Sequence, residues 1–449
     1  MWALAHILLA TQTSAQSEGT TVLSWFASFM SLVSILIFAS LGLYNRTIVS
    51  NFQVMLVRFF VGLVFVSISS YLLIKAYLFF VPISLFPPAY YFYLPVGIML
   101  GIASLLCTRL LMIYLLDLDV LRQRIAFIGD HNHASRLQQT IASDQSLGFE
   151  IVAVIDPSYG VAAQAADEWI WPFDELIRKP ETFRPFLEEM AADEVVVAVK
   201  DTSKIPVQAL IDCKSQGIRV SDYLSFVERE LGRIDLDELD PNWLIFSGGF
   251  QENVVTNALQ RGFDMTCSIL ILLITAPVLL ITALMIRLDS PGPVFYRQER
   301  TGRNGEGFTL FKFRSMREDA ESASGPQWAG ANDARVTDVG RFIRKTRIDE
   351  LPQLLNVLGG RMSIIGPRPE RPFFVEQLEQ QIPHYGQRHR VRPGITGWAQ
   401  INYPYGASVD DAREKLAYDL YYVKNRSLFL DIVILLQTVR VVIWPPGVR

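Results

Sequence analysis

Four stretches of this chain carry no charged side chain over lengths that a soluble surface does not tolerate: 24–44 (21 residues), 59–74 (16), 76–108 (33) and 265–286 (22). About 20 apolar residues in a helix span a hydrocarbon core of about 30 Å. The first and last runs are therefore long enough to enter or cross a bilayer. The second is short, but Arg58 and Lys75 at its edges can carry their charged ends out to the interface. In the third, Pro82, Pro87 and Pro88 place a turn, which leaves a third helix over 93–116. Composition agrees: half of the 449 residues are hydrophobic and 19% are charged. A membrane protein with N-terminal transmembrane helices within 1–120 is expected.

Arg46 and Arg58 follow the first run and Arg122 and Arg124 follow the third helix, whereas 1–23 and 79–92 contain no Lys or Arg. The positive-inside bias then places 45–54, and everything from 117 onward, in the cytoplasm. The N-terminus would lie outside, or MWALAHILLA would belong to a fourth helix. No basic segment precedes the first apolar stretch, so a signal peptide is not expected.

The remaining chain is electrostatically split. Residues 121–260 hold 12 basic against 23 acidic side chains, and residues 288–449 hold 23 basic against 18 acidic. A basic C-terminal part suits phosphates and lipid headgroups. Its arginines lie among glycines and prolines without forming a run, so nucleic acid is not an expected partner. The three cysteines, Cys107, Cys213 and Cys267, are scattered and offer neither a disulfide framework nor zinc spacing.

In the acidic middle, RQRIAFIGD (123–130), FEIVAVIDP (149–157), EVVVAVKD (194–201) and GIRVSDYL (217–224) predict short buried strands. Helical stretches such as 133–147 and 205–216 lie between them. That alternation implies a parallel α/β sheet, Rossmann-like and CoA-binding-like in outline, over 121–250. A dinucleotide site needs G-x-G-x-x-G after the first strand. The loop here, Gly129 to Ala134, has one glycine, so NAD is not expected. His131 and His133 are expected in an exposed turn rather than as ligands, and the domain is expected to be structural, regulatory or a homodimer contact.

The run 265–286 has Pro277 near its middle. A proline removes one backbone hydrogen bond and kinks a helix, so the segment is expected to enter the membrane and return over about 263–287, with Thr275 or Ser268 satisfying freed carbonyls. A straight crossing would instead carry the basic part outside.

Beyond it, 290–316 predicts a loop and hairpin in which Lys312 and Arg314, flanking Phe313, share one face aimed at a phosphate. In 344–370, adjacent acids Asp349 and Glu350 stand near Arg344, Lys345 and Arg347 and precede the amphipathic LPQLLNVL. GPRPE then offers a Pro-flanked Arg368 suited to bidentate phosphate binding. Carboxylates among phosphate-binding arginines suit Mg²⁺ and phosphoryl transfer, and an aspartate can attack phosphorus directly. Arg388, Arg390 and Arg392, spaced by two, read as one strand face, and PGITG as a turn whose amides hold anionic oxygens. Residues 415–445 predict an apolar, interfacial helix.

SPGPVFYRQERTGRNG, KFRSM, RIDELPQLLNVL, MSIIGPRPE and RPGITGWAQINY, in that order, closely resemble the bacterial sugar transferases, the monotopic polyprenyl-phosphate hexose-1-phosphate transferases. The resemblance covers 255–449, and the helices and α/β domain ahead of it resemble the large, exopolysaccharide form. It implies a monotopic α+β catalytic domain with a re-entrant helix broken at Pro277, on the cytoplasmic face of the bacterial inner membrane. It further implies transfer of a hexose 1-phosphate, with glucose the expected sugar, from a UDP-sugar to undecaprenyl phosphate. Asp349 matches the family's nucleophile and Glu350 its Mg²⁺ ligand, while Lys312, Arg344 and Arg368 match basic positions near the phosphates. Two other classes of function compete with this one. A nucleotide-sugar oxidoreductase would need the missing glycine loop, and a non-enzymatic scaffold would work without Asp349.

Overall fold

The computed structural model describes residues 17–43, 59, 62–73, 107, 123–143, 149–156, 173, 179–199, 205–239, 248–250, 254–317, 335–403, 406 and 408–443. Contacts divide the chain into two units, 1–226 and 227–449.

In the first unit, α1 (Ser17–Ser40) and α2 (Gly62–Leu73) fall on the first two apolar runs. Phe38 stacks on Phe59 with ring centroids 5.5 Å apart. A side chain at Gly62 would meet the Phe38 ring at 2.6 Å, so glycine there permits the close approach. Phe29, Leu32 and Ile35 of α1 and Val64, Ile68 and Leu72 of α2 remain exposed. The expected third helix, 93–116, lies outside the described residues apart from Cys107.

The α/β region follows as β1 (Gln123–Gly129), α3 (His131–Ser143), β2 (Phe149–Ile155), α4 (Phe183–Glu189), β3 (Glu194–Ala198), α5 (Val207–Ser215), β4 (Arg219–Asp222) and α6 (Tyr223–Leu231). The four strands pair in parallel in the order β2-β1-β3-β4. Strands covered on both faces read as unbroken apolar runs, which is why IAFI and EVVVA were visible. Ile125, Ala126, Phe127 and Ile128 are fully buried. His131 and His133 are not in an exposed turn: they open α3, and His133 packs edge-on against Tyr223.

At the start of α3, the backbone N–H of His131 donates to Asp156 Oδ2 at 2.7 Å. A helix start after a first strand is where a nucleotide phosphate would bind; here the chain's own buried carboxylate fills it. Gly129 serves packing, since a Cβ there would sit 2.8 Å from that of Ala198.

The second unit starts at 227, ahead of the segment that carries the sugar-transferase resemblance. Ile234 is buried with Phe374, Leu378, Leu416 and Leu420 of the second unit, and the Ile234 N–H donates to Ala417 O at 3.1 Å. An apolar side chain belongs to the core it fills, whatever its place in sequence.

The second unit begins with α7 (Val254–Asp289), the one helix among the described residues long and apolar enough to cross a membrane. It runs helically through Pro277. The Thr275 hydroxyl donates to Ile271 O at 2.7 Å rather than to Leu273, the carbonyl a proline at 277 leaves unpaired. Ser268 Oγ is buried and has no partner among the described residues. Neither side chain does what the sequence reading asked of it.

After α7 come the antiparallel hairpin β5 (Phe295–Thr301) and β6 (Gly307–Phe313), then α8 (Asp338–Lys345), α9 (Gln353–Leu358), β7 (Ser363–Ile365), α10 (Pro372–Gln381), β8 (Gly394–Thr396), α11 (Trp398–Asn402), α12 (Val409–Asn425) and α13 (Leu428–Ile443). The single interfacial helix expected over 415–445 is two helices, because Arg426 leaves helical geometry and Ser427 Oγ accepts from Leu430 N.

Both ends of α7 are held by this one unit. Near its start, Arg261 donates to the carbonyls of Val357 (2.5 Å) and Leu358 (2.7 Å), capping the end of α9. Near its end, Ile286 is buried with Phe313 and Ile343. Asn356 ties α9 to β6, accepting from Phe311 N at 3.0 Å and donating to Thr309 O at 2.7 Å. Between the two docked ends, Leu273, Ile274, Leu280, Ile281 and Leu284 are exposed.

Candidate active site

The acid pair sits on a 3₁₀ turn, Ile348–Glu350, that follows α8. Arg347 reverses the chain there with φ +60°, a left-handed conformation that costs a non-glycine residue about 1 kcal/mol or more. Such strain at a turn of two acids marks a geometry the surrounding fold enforces. Asp349 and Glu350 are each 8% exposed.

Glu350 Oε1 gathers the cations: Arg368 Nη2 at 2.7 Å, Lys312 Nζ at 3.4 Å and Arg347 Nη1 at 3.8 Å. Burial pushes the Glu350 carboxyl up, but Arg368, Lys312 and Arg347 more than offset this and hold it well below the usual carboxylate range. Lys312 is pushed down by burial, against the pull of Glu350. Asp349 differs. Its carboxylate accepts no hydrogen bond from any described residue, and Oδ1 is buried without a partner. Burial, with Glu350 beside it, raises its pKa to about 6. At neutral pH Asp349 is therefore a largely ionised carboxylate with poor solvation, the state an attacking oxygen needs.

Of the predicted site residues, the structure brings together Asp349, Glu350, Lys312 and Arg368, with Arg347 joining them. Arg314 is elsewhere: its guanidinium donates to Pro291 O (2.6 Å) and to Ser290 O (2.8 Å), tying the turn between α7 and β5. Alternation along a strand fixed its face but not its partner. Arg344 is half-exposed on α8, and its side chain makes no hydrogen bond or ion pair among the described residues. Arg392 is half-buried and is pushed down by burial and by Arg303 and Arg261, so it belongs to a different group of charges from Glu350. The expected strand face of Arg388, Arg390 and Arg392 does not form, because Tyr385–Arg390 is a 3₁₀ helix entered through His384 at φ +63°. The first N–H of PGITG is already engaged: Gly394 N donates to Pro367 O at 2.9 Å, as β8 pairs with β7.

Sequence reasoning missed Arg300, whose Nη1 donates to Pro369 O at 2.9 Å and which pairs with Glu370 at 3.6 Å. It also missed the burial of Arg388. Both brace the loop that carries Arg368.

Among the described residues no group of three or more acidic, His or Cys side chains could hold a metal. Mg²⁺ commonly takes one or two carboxylates and completes its shell with water and substrate phosphates. The unpartnered Asp349 Oδ1 and the adjacent Glu350 carboxylate fit that donor set, although Glu350 Oε1 is already taken by cations.

An apolar helix with both ends docked on one unit, beside buried acids ringed by cations, defines a membrane-associated site for anionic groups. The sequence model of the family described as bacterial sugar transferase matches residues 255–445. The chain is 41% identical over 268 residues to the UDP-N-acetylgalactosamine-undecaprenyl-phosphate N-acetylgalactosaminephosphotransferase of Aeromonas hydrophila, covering 59% of this chain and 62% of that one. It is 34% identical to the undecaprenyl-phosphate glucose phosphotransferase of Komagataeibacter xylinus, over 71% of this chain and 59% of that one. It is 46% identical to the exopolysaccharide production protein PSS of Rhizobium leguminosarum bv. phaseoli, over 40% of this chain and 93% of that one. The chain thus spans less than two thirds of the first two relatives. It belongs to the bacterial sugar transferase family.

Proposed function

We propose that this chain transfers a hexose 1-phosphate from a UDP-sugar to undecaprenyl phosphate, releasing UMP, as the opening step of exopolysaccharide repeat-unit synthesis. The observation that carries the reading is the Asp349 carboxylate, buried and without a hydrogen bond, beside a Glu350 whose Oε1 is held by Lys312, Arg347 and Arg368. The names of the relatives supply the substrate class.

In the first step an Asp349 oxygen attacks the sugar-bearing phosphorus of the donor. The bond to the bridging oxygen breaks and leaves with UMP, and the sugar phosphate rests on Asp349. In the second, a phosphate oxygen of the polyprenyl acceptor attacks the same phosphorus. A diphosphate forms and the Asp349 carboxylate is restored. Lys312 and Arg368 balance the charge of the transferring group. Mg²⁺, with Glu350 as its ligand and Asp349 Oδ1 in reach, would neutralise phosphate charge when bound.

The docking of both α7 ends on one unit supports a re-entrant rather than a crossing helix, since one folded unit does not sit on both faces of a bilayer. On this reading the site lies at the headgroup plane of the inner membrane, on its cytoplasmic face, where a soluble nucleotide sugar and a lipid phosphate can meet. Glucose is the expected sugar, with galactose next and N-acetylated sugars behind, of which N-acetylgalactosamine is named for the Aeromonas hydrophila relative.

The test is lipid-linked product formation with Mg²⁺, undecaprenyl phosphate and a panel of UDP-sugars, run beside Asp349→Asn. Product and UMP from one donor, lost in the variant, are expected. Well-folded protein inactive with every donor, or an active variant, overturns the reading.

A further inference from the structure

The loop that carries Arg368, GPRPE (366–370), has two prolines and so few N–H groups of its own. Every carbonyl from 367 to 370 nevertheless has a donor from outside the loop. Gly394 N serves Pro367 (2.9 Å) and Thr301 N serves Glu370 (2.9 Å). Arg300 Nη1 serves Pro369 (2.9 Å). Arg388 Nη2 serves Arg368 itself (3.1 Å).

Arg388 is the unusual member of this set. It is 6% exposed, and its ion-pair partner Asp419, on α12, is 2% exposed at 2.7 Å. Its other nitrogen donates to the Tyr385 hydroxyl at 2.5 Å. A buried ion pair rarely adds net stability, because desolvation cancels most of the attraction, and it is better explained by what it orients. Here the line of contacts is continuous: Asp419 fixes Arg388, Arg388 holds the Arg368 carbonyl, and the Arg368 guanidinium holds Glu350 Oε1 at 2.7 Å. Arg388 makes no contact with Glu350 or Asp349 in the structure.

We propose that the buried Arg388–Asp419 pair is a positioning element that aims Arg368 at the acid pair. Its part in catalysis rests on the transferase reading above. Its part in placing Arg368 does not.

Two measurements on the full-length membrane protein test it. The first is a double-mutant cycle in kcat/KM between Arg388→Gln/Asp419→Asn, which removes both charges and leaves neither buried alone, and Arg368→Gln. Acting through Arg368, the paired change costs about 100-fold in the parent, as small misplacements at an active site do, and less than about 3-fold once Arg368 is gone. Equal losses in both backgrounds would show a merely structural pair. The second needs no turnover: phenylglyoxal modification of Arg368, mapped by mass spectrometry. Several-fold faster modification of Arg368 in the paired variant, with Arg341 unchanged, is expected. Unchanged modification of Arg368 overturns the proposal even if the protein proves to catalyse another reaction. Arg388→Lys keeps the charge but cannot serve Tyr385, Asp419 and the Arg368 carbonyl together, so it should restore folding without restoring the parent rate.

Discussion

Both halves of the molecule bury carboxylates and give them partners, with one exception among the described residues of the second unit. In the parallel sheet, Glu194 is completely buried yet accepts from Gln123 Nε2 (2.5 Å) and Ser221 Oγ (2.6 Å), and Asp156 accepts the amide that opens α3. In the second unit, Glu350 is committed to three cations, while Asp349 beside it is given nothing. Burying an ionised group without partners is costly, and a fold that needed only stability would have supplied one, as the sheet does twice. The contrast separates acids held by partners from the one proposed above as the nucleophile.

The largest test of that contrast is Asp349→Asn. It should lower transfer by about 10⁴-fold or more, because the amide cannot form the acyl-phosphate bond. The radiolabelled-sugar product assay reads it, and a melting temperature no lower than the parent's would locate the loss in chemistry. Residual turnover within tenfold of the parent would remove Asp349 from the nucleophile's role. Next in size is Arg368→Gln, expected to cost about 10²-fold to 10³-fold in kcat/KM, as removal of one preorganised charge-stabilising donor does. Lys312→Met should fall in the same range, while Arg314→Lys, whose contacts lie at the α7–β5 turn, should show its loss in melting temperature rather than kcat.

A stability prediction runs the other way. The folded-state pKa of Asp349 is raised, to about 6, so the folded protein binds its proton more tightly than the unfolded chain. The penalty is absent below the unfolded value, grows as pH rises toward 6, and is complete above it. At about 1.4 kcal/mol per unit it reaches about 3 kcal/mol. In metal-free protein Asp349→Asn should therefore stabilise at pH 8 and lose that advantage as pH falls through 6 toward 4. Thermal melts across that range check it. A gain that does not depend on pH would mean the penalty is not ionisation.

How much of this was legible follows from where the information lies. The β1, β2 and β3 strands could be read because parallel strands buried on both faces need largely apolar runs, a local property. The β5–β6 hairpin showed in its alternation and flanking Pro-Gly turns. The acid pair was recognisable through a long resemblance, and its immediate basic neighbours through proximity in sequence. The aim of each arginine was not. Arg314 sits two residues from Lys312 but turns to Ser290, and Arg388 lies four residues from Arg392 but turns inward to Asp419. Spacing fixes a face only once the backbone is known, and the 3₁₀ helix at 385–390 rests on a left-handed His384 that no pattern announced. The packing of 234 was hidden for the same reason: Ile234 finds its core among Phe374 and Leu416, far along the chain.

The smallest effect is expected where the sheet is asked to behave like the site. Asp156→Ala removes the acceptor from the first amide of α3. That is the loss of a helix-start partner, worth about 1 kcal/mol, and the melting temperature of the first unit should fall accordingly. Product formation per folded molecule should not change, because Asp156 serves the backbone of its own unit. The variant also bears on the nucleotide question. With the carboxylate gone the helix start is open to an anion, yet the single glycine at 129 still packs against Ala198 and leaves no closer approach for a diphosphate. Titration of the variant with NAD or UDP, followed by the tryptophan fluorescence of the chain, should show no saturable binding beyond that of the parent. A fall in turnover with an intact melt would place a working carboxylate in the sheet, and the division between structural and reactive acids would have to be redrawn.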